Sequence, residues 1–338
     1  MDGVRRMPRR RLTKGATMPD AIPLEDNVDY LRGKDLQGPH LCTFYAFNTE
    51  ISLSAYGDAD AVFPAFSQAV EACRRYERLF SRTLPHSDVS RLNAAGGAAV
   101  TIADETYDLL QGSLRYCEQS LGWFDITVGS LTSLWDFQRG VMADADELRE
   151  RLGLVDWRRV ELGGEPGART ARLGMPGAMV DVGGTAKGWI ADRLGELLRD
   201  CGVRHFIINL GGNVVVGGGK PDGSPFAVGI RNPQDTSKIL GAVNLTDGSV
   251  VTSGLYERCF ELNGKRYCHI LDPRTGMPIQ TGVESATVVA AKSFDCDGFS
   301  TTLCALGIEG GIEFAKSRPE IAVAIFVDGQ NRLFYSTQ

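Results

Sequence analysis

Apolar residues recur at three- and four-residue spacing in three long stretches of the chain. Across about 60–80, Phe63, Phe66, Val70, Cys73 and Phe80 share one face. Across about 104–121 the set is Tyr107, Leu110, Leu114, Cys117 and Leu121. After Gly188 it is Ile190, Leu194, Leu197, Leu198 and Cys201, with Gly202 placed to end the helix. Each pattern predicts an amphipathic helix. Pro64 is expected in the first turn of its helix, where a missing N–H costs little.

Elsewhere the pattern is β-rich. Residues 42–56 predict one or two strands, and 157–180 predict β structure broken by glycine turns. From His205 onward strands dominate: His205–Leu210, 214–216, 226–230, Ile239–Leu245, 249–253 and Val283–Ala290. Asn263-Gly264 predicts a hairpin joining 256–262 to 265–271, and Asp328-Gly329 another joining 321–327 to 332–335. Shorter helices are expected about 141–153, about 295–307 (ending at Gly307) and near 309–317. Strands mixed with three main helices predict an α+β fold, with a largely antiparallel sheet and flanking helices. Residues 1–37 are polar and broken by Pro and Gly, predicting a mostly irregular basic arm before one domain over 38–338.

Charge divides the chain in the same place. Residues 1–17 carry Arg5, Arg6, Arg9, Arg10, Arg11 and Lys14 against Asp2, a net of +5, so the remainder of a chain at −6 stands at −11. Such a body repels nucleic acid. The arm resembles the charged start of a signal peptide, but Gly15-Ala16-Thr17-Met18-Pro19 follows in place of an apolar run. The expectation is a cytoplasmic protein without a membrane anchor. The eight cysteines include no CxxC pair, which favours reduced thiols over a disulfide framework or a zinc site.

The candidate chemistry begins at Asp181-Val182-Gly183-Gly184-Thr185-Ala186-Lys187-Gly188. An apolar segment enters this glycine turn and a helix leaves it. Free backbone N–H groups, the positive end of a helix and the Lys187 ammonium then point to one place, which suits a phosphate. The plainer alternative is a tight turn with a solvated lysine. Asp297 and Thr301, four apart at the start of a helix, put two hard oxygen donors on one face, as Mg²⁺ prefers; helix capping by Asp295 or Asp297 explains the same residues. Trp123 and Phe124 beside Asp125 can stack on a flat ring and bond its polar edge, or can be a core aromatic pair at a corner. His269, ahead of Ile270-Leu271-Asp272-Pro273, can serve as a base, hold a phosphate or be structural.

Taken in order, these stretches resemble the ApbE-type FAD:protein FMN transferases. The pieces are 87–93, 124–129, 181–188, 209–213 with 218–225, 253–258, 269–276 and 297–307, so the resemblance spans about 40–338. It implies that family's α+β fold, FAD as substrate and Mg²⁺ as ion. The implied reaction attaches FMN to a Thr or Ser hydroxyl of a target flavoprotein and releases AMP. The implied metal ligands are Gly184, through its carbonyl, with Asp297 and Thr301. The implied FAD contacts are Leu41, Thr83, Trp123, Phe124, Asp125, Asp181, Lys187 and Leu271. His269 or a carboxylate near Asp297 is the expected base. The chain departs from the family pattern at Cys296 and Gly298, where Ala is frequent, at Cys268, where a second His is frequent, and at Thr83 and Leu41, where an aromatic residue and Met are usual. Two other readings compete: a Mg²⁺-dependent FAD pyrophosphatase releasing FMN and AMP to water, and a non-catalytic flavin-binding protein.

Overall fold

A computed structural model describes residues 27–33 and 38–336. The described residues begin with three strands, β1 (Val28–Leu31), β2 (His40–Ala46) and β3 (Thr49–Tyr56). Helices α1 (Ala59–Phe80) and α2 (Asp88–Ala94) follow, then β4 (Val100–Thr101) and α3 (Asp104–Gln119). Next come α4 (Gly129–Thr132), α5 (Ala145–Leu152), β5 (Val160–Gly163), β6 (Thr170–Leu173) and α6 (Ala186–Asp200). The second half holds β7 (His205–Leu210), β8 (Asn213–Gly217), β9 (Phe226–Arg231), β10 (Ile239–Leu245) and β11 (Gly248–Gly254). It closes with β12 (Cys259–Leu262), β13 (Lys265–Cys268), β14 (Val283–Ala290), α7 (Ser293–Lys316), β15 (Ile321–Asp328) and β16 (Leu333–Tyr335).

Nine strands form one sheet in the order β1-β2-β3-β7-β8-β11-β14-β15-β16, and every pairing in it is antiparallel. The α+β expectation therefore holds. The period-2 alternation of each strand sorts residues to two faces. Leu53, Ile208, Val215 and Val251 face the main core, which also takes in Phe66 of α1, Ile190 of α6 and Phe299 of α7. Ile207, Val216 and Val250 face the other way, where the β9–β10 hairpin covers them with Phe226, Val228 and Ile230.

Several expectations shift in detail. Val28–Leu31 lies in the span expected to be irregular, yet it pairs with β2, and Tyr30 adds an edge-on contact to Phe63 of α1. The rest of the arm expected over 1–37, residues 1–26 and 34–37, lies outside the described residues. Helix α1 starts at Ala59 behind an Asp58 cap, so Pro64 falls in its second turn rather than its first. Ser87 caps α2 by accepting from the Ser90 N–H at 2.9 Å, turning a stretch with no assigned element into a helix. The two helices expected near 295–317 form one element with a break at Gly307, whose φ of 77° only glycine adopts freely.

A candidate active site where two helices run antiparallel

The glycine corner is held from three sides. Asn93 of α2 grips the Val180 backbone, donating to its carbonyl at 2.9 Å and accepting its N–H at 2.8 Å. The Asp181 N–H donates to Ile126 O at 2.7 Å. The Asp181 carboxylate closes the turn by accepting the Gly183 N–H at 2.8 Å, and Arg82 stands 3.4 Å from its other oxygen. This fixes where α6 begins, with its N-terminal dipole at the corner.

Helix α7 then lies antiparallel on α6. Three pairs mark the register. Asp192 accepts the Ser293 and Phe294 N–H groups at 2.8 and 3.0 Å. The Gly188 N–H donates to Asp297 Oδ2 at 2.9 Å. Thr301 Oγ1 lies 3.9 Å from the point where a Cβ on Gly184 would stand. Glycine is costly in a helix, but at 188, in the first turn of α6, a Cβ would come 2.7 Å from Asp297 Cβ and closer still to the Ser293 carbonyl. The missing side chain is what lets the helices touch. Gly184 and the Asp297–Thr301 pair, more than a hundred residues apart in sequence, are thus brought together.

His269 lies within electrostatic reach of the glycine corner. It follows β13, with its N–H donating to Arg258 O at 3.0 Å, and its Nδ1 is buried with no hydrogen-bond partner. Burial, the Arg258 guanidinium and the Lys187 ammonium push its pKa down to about 4, while Asp181 pulls the other way. The imidazole is therefore neutral at pH 7, with Lys187 and Asp181 of the glycine corner acting on it.

The expected ring contacts divide. Trp123 is partly exposed, and the Arg274 guanidinium stacks on it 3.4 Å from the ring centroid while chelated by Asp272. Phe124 is 7% exposed and belongs to the main core; its edge lies 3.0 Å from where Gly184 would carry a Cβ, so it props the corner as a core aromatic. Asp125 is buried, and both its oxygens already accept: Oδ1 from the Thr127 N–H and hydroxyl, Oδ2 from the Trp157 N–H. Burial raises its pKa despite these bonds. A cleft of ≈ 530 Å³ opens beside it, lined in part by Gly122, Trp157 and Arg274. Leu271 is buried in a satellite cluster with Leu131, Trp135 and Leu148. Thr83 is exposed, its hydroxyl 3.1 Å from Ser81 Oγ.

Leu41 does not reach the corner. It is in register with Ser54, Ile207 and Val216, which places it on the sheet face turned away from α6 and α7. Phe47 stands at the β2–β3 tip. It takes a left-handed φ of 53°, and its N–H donates to Glu77 at 2.8 Å near the end of α1 from which Arg82 reaches Asp181. Phe47-Asn48 between two β-rich runs is the signal of this hairpin turn.

The residues present suit a small hard cation. Asp297 is 5% exposed and uses one oxygen on Gly188, and the partly exposed Thr301 hydroxyl makes no hydrogen bond among the described residues. No group of three or more His, Cys, Asp or Glu gathers among the described residues. A set of one carboxylate, one hydroxyl and one carbonyl is sparser than that, and all oxygen, as Mg²⁺ sites that leave room for water and substrate phosphates are. None of the described helices is long and apolar enough to cross a membrane.

Residues 47–326 match the ApbE family. A FAD:protein FMN transferase of Treponema pallidum is 36% identical over 290 residues, covering 81% of this chain and 80% of that one. One of Klebsiella pneumoniae is 35% identical over 275 residues, covering 80% and 84%. Among solved structures, the ApbE protein of Thermotoga maritima superposes with a TM-score of 0.80 at 26% identity, covering 88% of this chain and 97% of that one. The Pseudomonas stutzeri flavinyl transferase ApbE gives 0.76 at 26%, covering 89% and 94%. With the matched span enclosing the glycine corner, His269 and the start of α7, the chain belongs to the ApbE family.

Proposed function

We propose that this protein is an FAD:protein FMN transferase, using Mg²⁺ to move FMN from FAD onto a Thr or Ser hydroxyl of a target flavoprotein with release of AMP. The observation that carries this reading is the meeting of Gly184 and Gly188 with Thr301 and Asp297 across the α6–α7 pair. Gly184, Asp297 and Thr301 would hold the ion, which when bound would neutralise pyrophosphate charge and polarise phosphorus. The N-terminal dipole of α6 and the Lys187 ammonium supply further positive potential for the same phosphates.

In the proposed reaction the acceptor oxygen bonds to the FMN phosphorus. The bridging P–O bond breaks, and its electron pair leaves with AMP. The hydroxyl proton needs a base, and neutral His269 with its unpartnered Nδ1 is the candidate. Asp181 and Arg82 position the corner, and Trp123 with Arg274 offers a cationic, aromatic surface for the rest of FAD.

The test is intact-mass analysis of a flavoprotein domain bearing an acceptor Thr, incubated with this protein, FAD and Mg²⁺. A mass gain of one FMN, lost on chelation, supports the reading. FMN and AMP appearing free in solution without an adduct would assign the pyrophosphatase reaction instead.

A further inference from the structure

We propose that Ser113 and Tyr116 of α3 are positioning residues that set the spacing between the glycine corner and the oxygen donors of α7. The inference rests on the proposed metal site. One turn apart on a single helix, these residues each hold one side of it.

Ser113 is fully buried, and its hydroxyl lies 2.8 Å from the hydroxyl of Thr185, the residue after Gly184 and the N-cap position of α6. Tyr116, also fully buried, donates to Asp295 Oδ1 at 2.7 Å, and Arg115 holds the same oxygen at 3.1 Å. The Tyr116 ring lies edge-on to Phe294 and Phe299, at 5.0 and 5.2 Å between centroids. A Cβ on Gly298 would come 2.5 Å from the ring's carbons. Phe294, Asp295, Gly298 and Phe299 form one face of the first turns of α7. Asp297 is turned from that face to the Gly188 N–H. Tyr116 therefore fixes both the rotation and the depth of α7 at Asp295 and Gly298, on either side of Asp297. Ser113 fixes the corner against the same rigid element. Glycine at 298 follows from this arrangement, since any side chain there would push the ring, and α7 with it, out of place.

The experiment measures Mn²⁺, which takes the same hard oxygen donors as Mg²⁺, by the loss of its free-ion EPR signal on titration into full-length protein. Wild type, Ser113→Ala, Tyr116→Phe and Gly298→Ala are compared, each with its Tm and its Mg²⁺ dependence of turnover. Ser113→Ala and Tyr116→Phe are expected to weaken Mn²⁺ binding by about tenfold, as loss of outer-shell partners does, and to raise the Mg²⁺ needed for half-maximal turnover while kcat at saturating Mg²⁺ falls less. Gly298→Ala should weaken binding further. Lower Tm with Mn²⁺ affinity within about twofold of wild type would mean that α3 braces only the fold, and would overturn the inference. Wild type that binds no Mn²⁺ overturns this inference and the metal site together. Wild type that binds Mn²⁺ but transfers no FMN overturns only the proposed reaction.

Discussion

Asp192 of α6 caps the N-terminus of α7 across a helix–helix interface, accepting the Ser293 N–H at 2.8 Å as well as that of Phe294. Lys292, at the N-cap position, makes no side-chain cap, so a residue a hundred positions away does the work. Burial raises the Asp192 pKa to about 6 although both bonds favour the charged form. The protonated group is thus favoured by the fold. Its contribution to stability is full below the unfolded value near pH 4 and is lost as pH rises through about 6. Asp192→Asn removes this titration, so its stability relative to wild type should rise between pH 4 and 6 by on the order of 2 kcal/mol. Urea unfolding at several pH values measures this, and parallel curves would refute it.

His269 titrates in the opposite sense. Its pKa is depressed to about 4, so the neutral form is favoured by the fold. That contribution is present above about pH 6.5 and is lost as pH falls towards 4. If His269 accepts the acceptor's proton, kcat/KM for FMN transfer should hold down to about pH 5 instead of falling near 6.5. His269→Gln should cost about 10²–10⁴-fold in rate and leave the variant less sensitive to acid unfolding. A pH–rate profile with an acid limb at 6.5 would remove His269 from the role.

Asp297 has a structural and a proposed chemical task, and two substitutions separate them. Asp297→Asn retains an acceptor for the Gly188 N–H but loses the charge. Its Tm should stay near wild type while metal binding and FMN transfer disappear. Asp297→Ala also orphans a buried N–H, at a cost of about 1–3 kcal/mol. Wild-type transfer by a folded Asp297→Asn protein would end the metal assignment.

Gly188→Ala places a methyl 2.7 Å from Asp297 Cβ. The intrinsic gain from alanine in a helix is below about 1 kcal/mol, whereas overpacking costs about 1–3 kcal/mol. The variant should be destabilised, and its Mg²⁺ requirement should rise because α7 is forced away from α6. Chemical denaturation and a Mg²⁺ titration of turnover report the two effects.

Leu41→Ala should leave the KM for FAD within about twofold, since Leu41 faces away from the corner. A KM raised about tenfold or more would place the substrate on the other face of the sheet.

Much of this was legible in the order of the residues. Strands Ile239–Leu245 and Val283–Ala290 carry the expected bounds, and α1, α3 and α6 stand where their apolar spacing placed them. Element type and buried face follow from local periodicity, which a chain carries in itself. The ordered motifs, with Asp181, Gly184, Lys187, Asp297 and Thr301 among them, likewise needed no coordinates to be singled out. Tertiary structure decided the rest. It put Leu41 on the sheet face away from α6 and α7, because a strand's alternation assigns a residue to a face without saying which face meets the helices. It put Phe124 and Leu271 into cores and gave both Asp125 oxygens to neighbouring donors. It brought Asp192, Gly188 and Gly184 into register with Ser293, Asp297 and Thr301. That last arrangement depends on two glycine surfaces and an aromatic ring fitting at van der Waals distance. Such close packing is settled only when both partners are in place.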